Sequence, residues 1–276
     1  MNISFAVTAY EETSHRRQGE CRITKCLRSA LEHESVTEVV VVNDASDDYY
    51  LLYDKISGLP KVKIYQNQEN LGVFGNKLES VARCTGNWVI CCDSDNVMDD
   101  EYITKVVEQI ELGQKLAKID YWHCPSFAKP KFDYRPFIGE YHLGNIVELV
   151  QSGGLSGCLM NTGNQTVNRE AFLAVFEKYR GCRADLMMPN WLGITQEERR
   201  KRHYRIVFDA CDSLIFNMEW LKAGGVLNVV EGLEYEHYWT GSEESHYNRA
   251  PKEKHQLNEI LLKELVAAGR QHEVKI

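Results

Sequence analysis

Three observations predict an α/β protein with a mostly parallel central sheet flanked by helices. Short apolar runs alternate with segments of helical periodicity across residues 3–112, the pattern of βαβ units. Those runs are nearly continuous, as in strands buried on both faces. Three of them end in polar residues, at Thr8–Glu12, Asn43–Asp48 and Asp93–Asn96. In a parallel sheet these ends share one rim, and ligands bind beyond that rim.

The elements follow in order. "ISFAVTA" (3–9) reads as the first strand. In "RRQGECRITKCLRSALEH" (16–33), Ile23, Cys26, Leu27, Ala30 and Leu31 recur at close to helical spacing. "TEVVVVND" (37–44) and "VKIYQN" (62–67) are the next strands, "GVFGNKLESVARC" (72–84) a helix, and "NWVICCD" (87–93) the fourth strand. "DDEYITKVVEQIELG" (99–113) starts with acids that suit a helix dipole and ends on Gly113. Beyond it, "YWHCPSFAKPKFDYRPFIGEYH" (121–142) carries prolines at 125, 130 and 136 and reads as a long loop. A glycine-rich turn and a strand within 153–179 lead to a helix from about Arg169. "FDACDSLIFNMEWLKAGG" (208–225) reads as one helix, "VLNVV" (226–230) as a strand and "EYEHYWTGSEESHY" (234–247) as a loop. "PKEKHQLNEILLKELVAAGR" (251–270) is an amphipathic helix with Leu257, Ile260, Leu261, Leu265 and Val266 on one stripe. No repeat or linker interrupts the chain, so a single domain is expected, residues 1–245, with a C-terminal helical extension at 246–276. Within it, 1–112 and 113–245 read as two halves, the first regular and the second less so.

A net charge of −8 argues against a non-specific nucleic-acid coat, although "EERRKRHYR" (197–205) is locally basic. No apolar run approaches the roughly 20 residues that cross a bilayer. The start of the chain lacks a signal-peptide pattern, so a cytoplasmic protein is expected, meeting a membrane only at its surface. The nine cysteines include no C-x-x-C pair and read as reduced core thiols.

Asp93-Ser94-Asp95 closes the buried run "WVICC". Two carboxylates on one short turn suit Mg²⁺ or Mn²⁺, hard cations that leave coordination positions to water and phosphate. One carboxylate would bind the metal directly, the other through water or toward a sugar hydroxyl. The bland alternative is a solvated turn followed by a helix cap from Asp99. A calcium loop is excluded by spacing, because Val97, Met98 and Thr104 stand where an oxygen ligand, glycine and glutamate are needed.

"AVTAYEE", "VVVNDASDD" and "ENLGVFGNKLESVARCTGNWVICCDSDN", taken in order, resemble the corresponding stretches of the family 2 nucleotide-sugar glycosyltransferases. The resemblance implies a GT-A fold, Rossmann-like, with 1–112 as a nucleotide-binding half and 113–245 as an acceptor and catalytic half, and a nucleoside diphosphate sugar, with UDP or GDP, as donor. Thr8, Ala9, Tyr10 and Glu11 would line base and ribose, and Asp44, beside Asn43, would accept hydrogen bonds from the base. Asn76 and Lys77 fall where that family has a polar or basic residue facing the diphosphate. An inverting transfer needs a base for the acceptor hydroxyl. "DACDSLIF" resembles the family's acidic motif, with Asp212 matching its aspartate, Cys211 replacing its glutamate and Asp209 one turn earlier as runner-up. The stretch before it implies donor contacts from Gly163, Asn164 and Gln165. GT-A enzymes often add a C-terminal histidine to the metal shell, which points to His237 and secondarily to His246. Trp122, Tyr134, Trp191, Tyr238 and Trp239 are candidates for stacking on a glycan, lipid-linked or other hydroxyl acceptor. The alternatives are a nucleotidyltransferase, for which the glycine-rich phosphate loop is missing, and a non-catalytic nucleotide-sugar binding protein.

Overall fold

A computed structural model of the chain describes residues 1–10, 16–17, 20–118, 121–130, 132–151, 159, 164–237 and 252–273. The first half runs β1 (Ile3–Ala9), a hairpin of β2 (Arg16–Arg17) and β3 (Glu20–Cys21), α1 (Arg22–Glu32), β4 (Val36–Asn43) and α2 (Tyr49–Ile56). It continues with β5 (Val62–Gln66), α3 (Gly72–Arg83), β6 (Trp88–Asp93), β7 (Asn96–Val97) and α4 (Asp100–Lys115). The second half holds β8 (Tyr121–Lys129), β9 (Phe132–Asp133), β10 (Gly139–Tyr141), α5 (Ile146–Gln151), β11 (Thr166–Asn168) and α6 (Arg169–Phe176). After these come α7 (Ala184–Met187), α8 (Gln196–Arg199), α9 (Arg202–Asp209), α10 (Asp212–Lys222), β12 (Val226–His237) and α11 (Glu253–Glu273).

The sheet order is β10-β12-β8-β11-β6-β1-β4-β5, with β7 on β12 and β9 on β8. The pairs β1–β4, β1–β6, β4–β5 and β8–β12 are parallel, and β11 is antiparallel to both its neighbours. Because side chains alternate along a strand, Phe5 and Val7 of β1 pack on the side of α1 and α4, while Ala6 joins α3 on the other. Val89 of β6 likewise faces α3, and Ile90 and Cys92 face away from it. Thr8 and Asp93, next in this alternation, therefore share the α3 side of the rim. Cys26, Cys84, Cys91, Cys92, Cys124, Cys182 and Cys211 are free thiols, with the Cys26 and Cys92 sulfurs 3.7 Å apart.

Three expectations for the second half need correction. Residues 121–142 are not a long loop: β8 occupies Tyr121–Lys129 at the heart of the sheet, and Trp122 is 1% exposed. Pro125 is tolerated because it lies opposite Val230, where the β12 register slips. Nor does β12 end at residue 230. Gly232, at φ +71°, absorbs the slip as a bulge, and the strand runs on to His237. The helix expected over 208–225 is two, α9 and α10, broken at Ala210–Cys211.

The C-terminal helix α11 is part of the body of the protein: Leu257, Leu261 and Leu265 are fully buried in the core formed with α10. Among the described residues no helix is long and apolar enough to cross a membrane.

Candidate active site

Register brings the predicted rim together. Thr8 of β1 stands opposite Asp93 of β6, and Ala9 opposite Asn43 of β4. The Thr8 hydroxyl donates to Asp93 Oδ1 at 3.3 Å. Asp93 and Asp95 are half-buried and Ser94 between them is buried, so the two carboxylates are the open members of the turn.

From α3, Lys77 Nζ reaches Asp93 Oδ1 at 3.2 Å and Asp212 Oδ2 at 2.8 Å. One ammonium thus joins the acidic turn to the first residue of α10. Burial disfavours that charge, but Asp212 and Asp93 outweigh it and push the Lys77 pKa up. Asp95 is pushed up to about 6 by burial and by the adjacent charge of Asp93. Asp93, Asp95 and Asp212 outnumber Lys77 and Arg22, whose charges both act on Asp95, and leave an excess of negative charge suited to a cation. His237 lies across the β7–β12 pairing, where it is the partner of Asn96, and its Nδ1 meets Asn96 Oδ1 at 2.8 Å. With Asn96 Oδ1 as the acceptor, that bond places a proton on Nδ1.

This hard, oxygen-rich donor set fits Mg²⁺ or Mn²⁺. Among the described residues no three His, Cys, Asp or Glu side chains close into a ready metal cluster. A cation here would be held by Asp93 and Asp95, with His237 in reserve, and would take its other ligands from diphosphate and water.

Several predicted contacts are turned elsewhere. Asp44 accepts from Asn67 Nδ2 at 2.9 Å and from the backbone N–H groups of Leu71 and Gly72 at 2.8 and 2.9 Å. Its carboxylate satisfies the otherwise unpaired start of α3, and burial outweighs those bonds to raise its pKa. Asn43 makes the Asx turn: its Oδ1 accepts the Ser46 N–H at 2.9 Å and its Nδ2 donates to the Ser46 hydroxyl. Asn76 is buried in the same network, accepting from Asn67 and donating to the Val42 carbonyl. Ala9 is 2% exposed and points into the core, its carbonyl accepting the Asp44 N–H. Asp209 is engaged elsewhere: it accepts the Val73 N–H at 2.9 Å, the next free donor of α3. Burial pushes Asp209 up to about 8. The start of α3 is thus held by Asp44 from one half of the chain and Asp209 from the other.

Asn164 does not face a donor. It is 2% exposed, and its Oδ1 accepts the Asp93 N–H at 2.8 Å from behind the turn. Gln165 is buried against Asn217. Trp122 stacks on Trp220 with ring centroids 4.6 Å apart, Tyr134 is buried, and Trp191 is held by Glu264. These three are packing residues. Tyr10 is exposed at the end of β1. Glu11, Gly163, Tyr238, Trp239 and His246 lie outside the described residues. Asn67 and Tyr235 escaped the sequence reading. Asn67 had a signal, a polar residue directly after the third strand and on the same rim.

A D-x-D turn and a helix-start carboxylate, joined through one lysine on the ligand rim of a sheet of this order, define a GT-A glycosyltransferase architecture. The chain belongs to glycosyl transferase family 2, whose model matches residues 4–160. No curated protein matches it. Solved structures of S. aureus TarS share the fold. TarS 1–349 in complex with UDP-GlcNAc has a TM-score of 0.59 at 16% identity, covering 97% of this chain and 71% of that one. TarS 1–349 in complex with UDP gives 0.58 at 16% identity, covering 96% of this chain and 65% of that one. The chain spans only 37% of a longer TarS structure, which it matches over 87% of its own length with a TM-score of 0.54 at 16% identity.

Proposed function

We propose that the protein transfers a sugar from a nucleoside diphosphate sugar, with UDP as the nucleotide, to an acceptor hydroxyl, inverting the anomeric carbon. The observation that carries this reading is Lys77, which joins the D-x-D carboxylate Asp93 at 3.2 Å to Asp212 at 2.8 Å. Groups for the leaving diphosphate and for the acceptor's proton therefore lie within one side chain's span. Membership of glycosyl transferase family 2 supports the donor class, and the TarS complexes with UDP and UDP-GlcNAc support UDP.

In this mechanism Asp93 and Asp95 would hold Mn²⁺ or Mg²⁺, with His237 in reserve on the neighbouring strand. Such a cation would offset the negative charge that develops on the departing diphosphate. Lys77 adds a fixed positive charge on the same side of the rim. Asp212 takes the acceptor hydroxyl's proton as that oxygen bonds to the sugar's anomeric carbon. The bond to the diphosphate breaks on the opposite face. Thr8 and Tyr10 flank the nucleotide, while Asp44, Asn43 and Asn76 support the loop beneath it.

The test is nucleoside diphosphate release from a panel of UDP-, GDP-, dTDP- and CMP-sugars, with Mn²⁺ and with EDTA, UDP-GlcNAc being the first donor. Release that requires metal and is abolished in Asp93→Asn supports the reading. Pyrophosphate as product would indicate nucleotidyl transfer instead, and full activity in Asp93→Asn overturns the assignment.

A further inference from the structure

Behind the acidic turn lies a buried bracket that the proposed mechanism leaves unused. Asn164 accepts the Asp93 N–H at 2.8 Å through Oδ1 and donates from Nδ2 to the Tyr235 hydroxyl at 3.0 Å. Tyr102, at the first turn of α4, donates its hydroxyl to the Asn164 carbonyl at 3.4 Å. Tyr235 is 3% exposed and lies on β12, two residues before His237. Its ring stands edge-on to Tyr102 and to His237, with centroids 6.3 and 6.4 Å apart. His237 returns to the turn through Asn96 at 2.8 Å. These contacts close a loop, running from the Asp93 backbone through Asn164, Tyr235, His237 and Asn96 back to the D-x-D turn.

Neither Asn164 nor Tyr235 is exposed enough to meet a ligand. The Asn164 amide is used at both ends, so turning it over would set its NH₂ against the Asp93 N–H and strand that buried donor. The bracket therefore has one low-energy geometry.

We infer that Asn164 and Tyr235 are positioning residues that hold the Asp93–Asp95 turn from behind, and thereby set the strength with which its carboxylates hold a divalent cation. The inference rests on the metal–diphosphate reading of that turn. Residues that orient metal ligands from behind typically govern affinity by about 10–100-fold, without touching the ion.

The experiment is a Mn²⁺ titration of the protein without donor, followed by calorimetry or by loss of the free-ion resonance signal, alongside thermal unfolding. Wild type, Asp93→Asn, Asn164→Leu and Tyr235→Phe are compared. The expected result is binding by wild type, none by Asp93→Asn, and affinity weakened about 10-fold or more in Tyr235→Phe, which still folds but melts earlier because the buried Asn164 Nδ2 loses its acceptor. Should Asn164→Leu fail to fold, Tyr235→Phe decides, since it removes a single oxygen. Unchanged Mn²⁺ affinity in Tyr235→Phe overturns the inference while leaving the metal reading intact. Absence of Mn²⁺ binding by wild type overturns both.

Discussion

Lys77 lies between two carboxylates with its own side chain 10% exposed, so its removal leaves Asp212, 11% exposed, facing a site that water reaches poorly. Asp93 is one-third exposed and is partly screened. The cost of breaking the pair should thus come mainly from Asp212, near the lower end of the about 3–5 kcal/mol seen for buried ion pairs. Lys77→Met is expected to lower the melting temperature and to abolish nucleoside diphosphate release, and a circular-dichroism melt beside the release assay checks both. Asp209 has a different signature. Its folded-state pKa, about 8, lies above the usual 3.8, so between those values the folded chain holds a proton that the unfolded chain has lost. Stability contributed there is greatest on the acid side and falls as pH rises through about 8. Asp209→Asn, which can still accept the Val73 N–H, should flatten that decline in melts from pH 5 to 9. At this scale the charged residues were legible in sequence, because Asp93, Asp95, Lys77 and Asp212 sit at strand or helix positions that face the rim. The amides were not. Asn164 and Asn76 read as polar residues near a ligand, yet both are spent on buried backbone groups, and no periodicity reveals a hydrogen-bond partner.

At the scale of elements, α3 depends on its first residue. Gly72 adopts φ +77°, and a Cβ there would collide with the Asp209 carboxylate that caps the helix. Gly72→Ala should therefore cost about 1–3 kcal/mol and shift Lys77 away from Asp93. Urea melts measure the first effect, and the Mn²⁺ and donor affinities report the second. The parallel strands and their helices were legible because continuous apolar runs and helical spacing are local properties of residues 3–112. β8 was obscured by Pro125, which the sheet tolerates where its neighbour slips, and by Pro130 just beyond its end. The full length of β12 was hidden by Gly232, which reads as a terminator but forms a bulge. Both depend on what lies beside the strand, and that is not encoded in its own pattern.

Across the whole molecule, the halves are joined at several places. β6 of the first half pairs with β11 of the second through Thr166–Ile90, Val167–Val89 and Asn168–Trp88. The fully buried stripe of α11 packs into the core shared by α3, α6 and α10. Leu261→Ala, which opens a cavity in that stripe, should destabilise the protein by about 2–5 kcal/mol. Because the stripe is shared, the loss should shift one common unfolding transition, followed by calorimetry, instead of detaching the helix alone.

The two-sided cap of α3 bears on how the protein is made. A ribosome releases the first strands and α3 well before Asp209, and until Asp209 arrives the Val73 N–H that it accepts has no such partner. During the first part of that interval, before Thr166–Asn168 emerge, β6 also has no β11 to cover its edge. The nascent chain therefore carries an open sheet edge and an incompletely capped helix beside the nucleotide rim. The rim would then be the part of the nascent fold completed late, after most of the polypeptide has been synthesised.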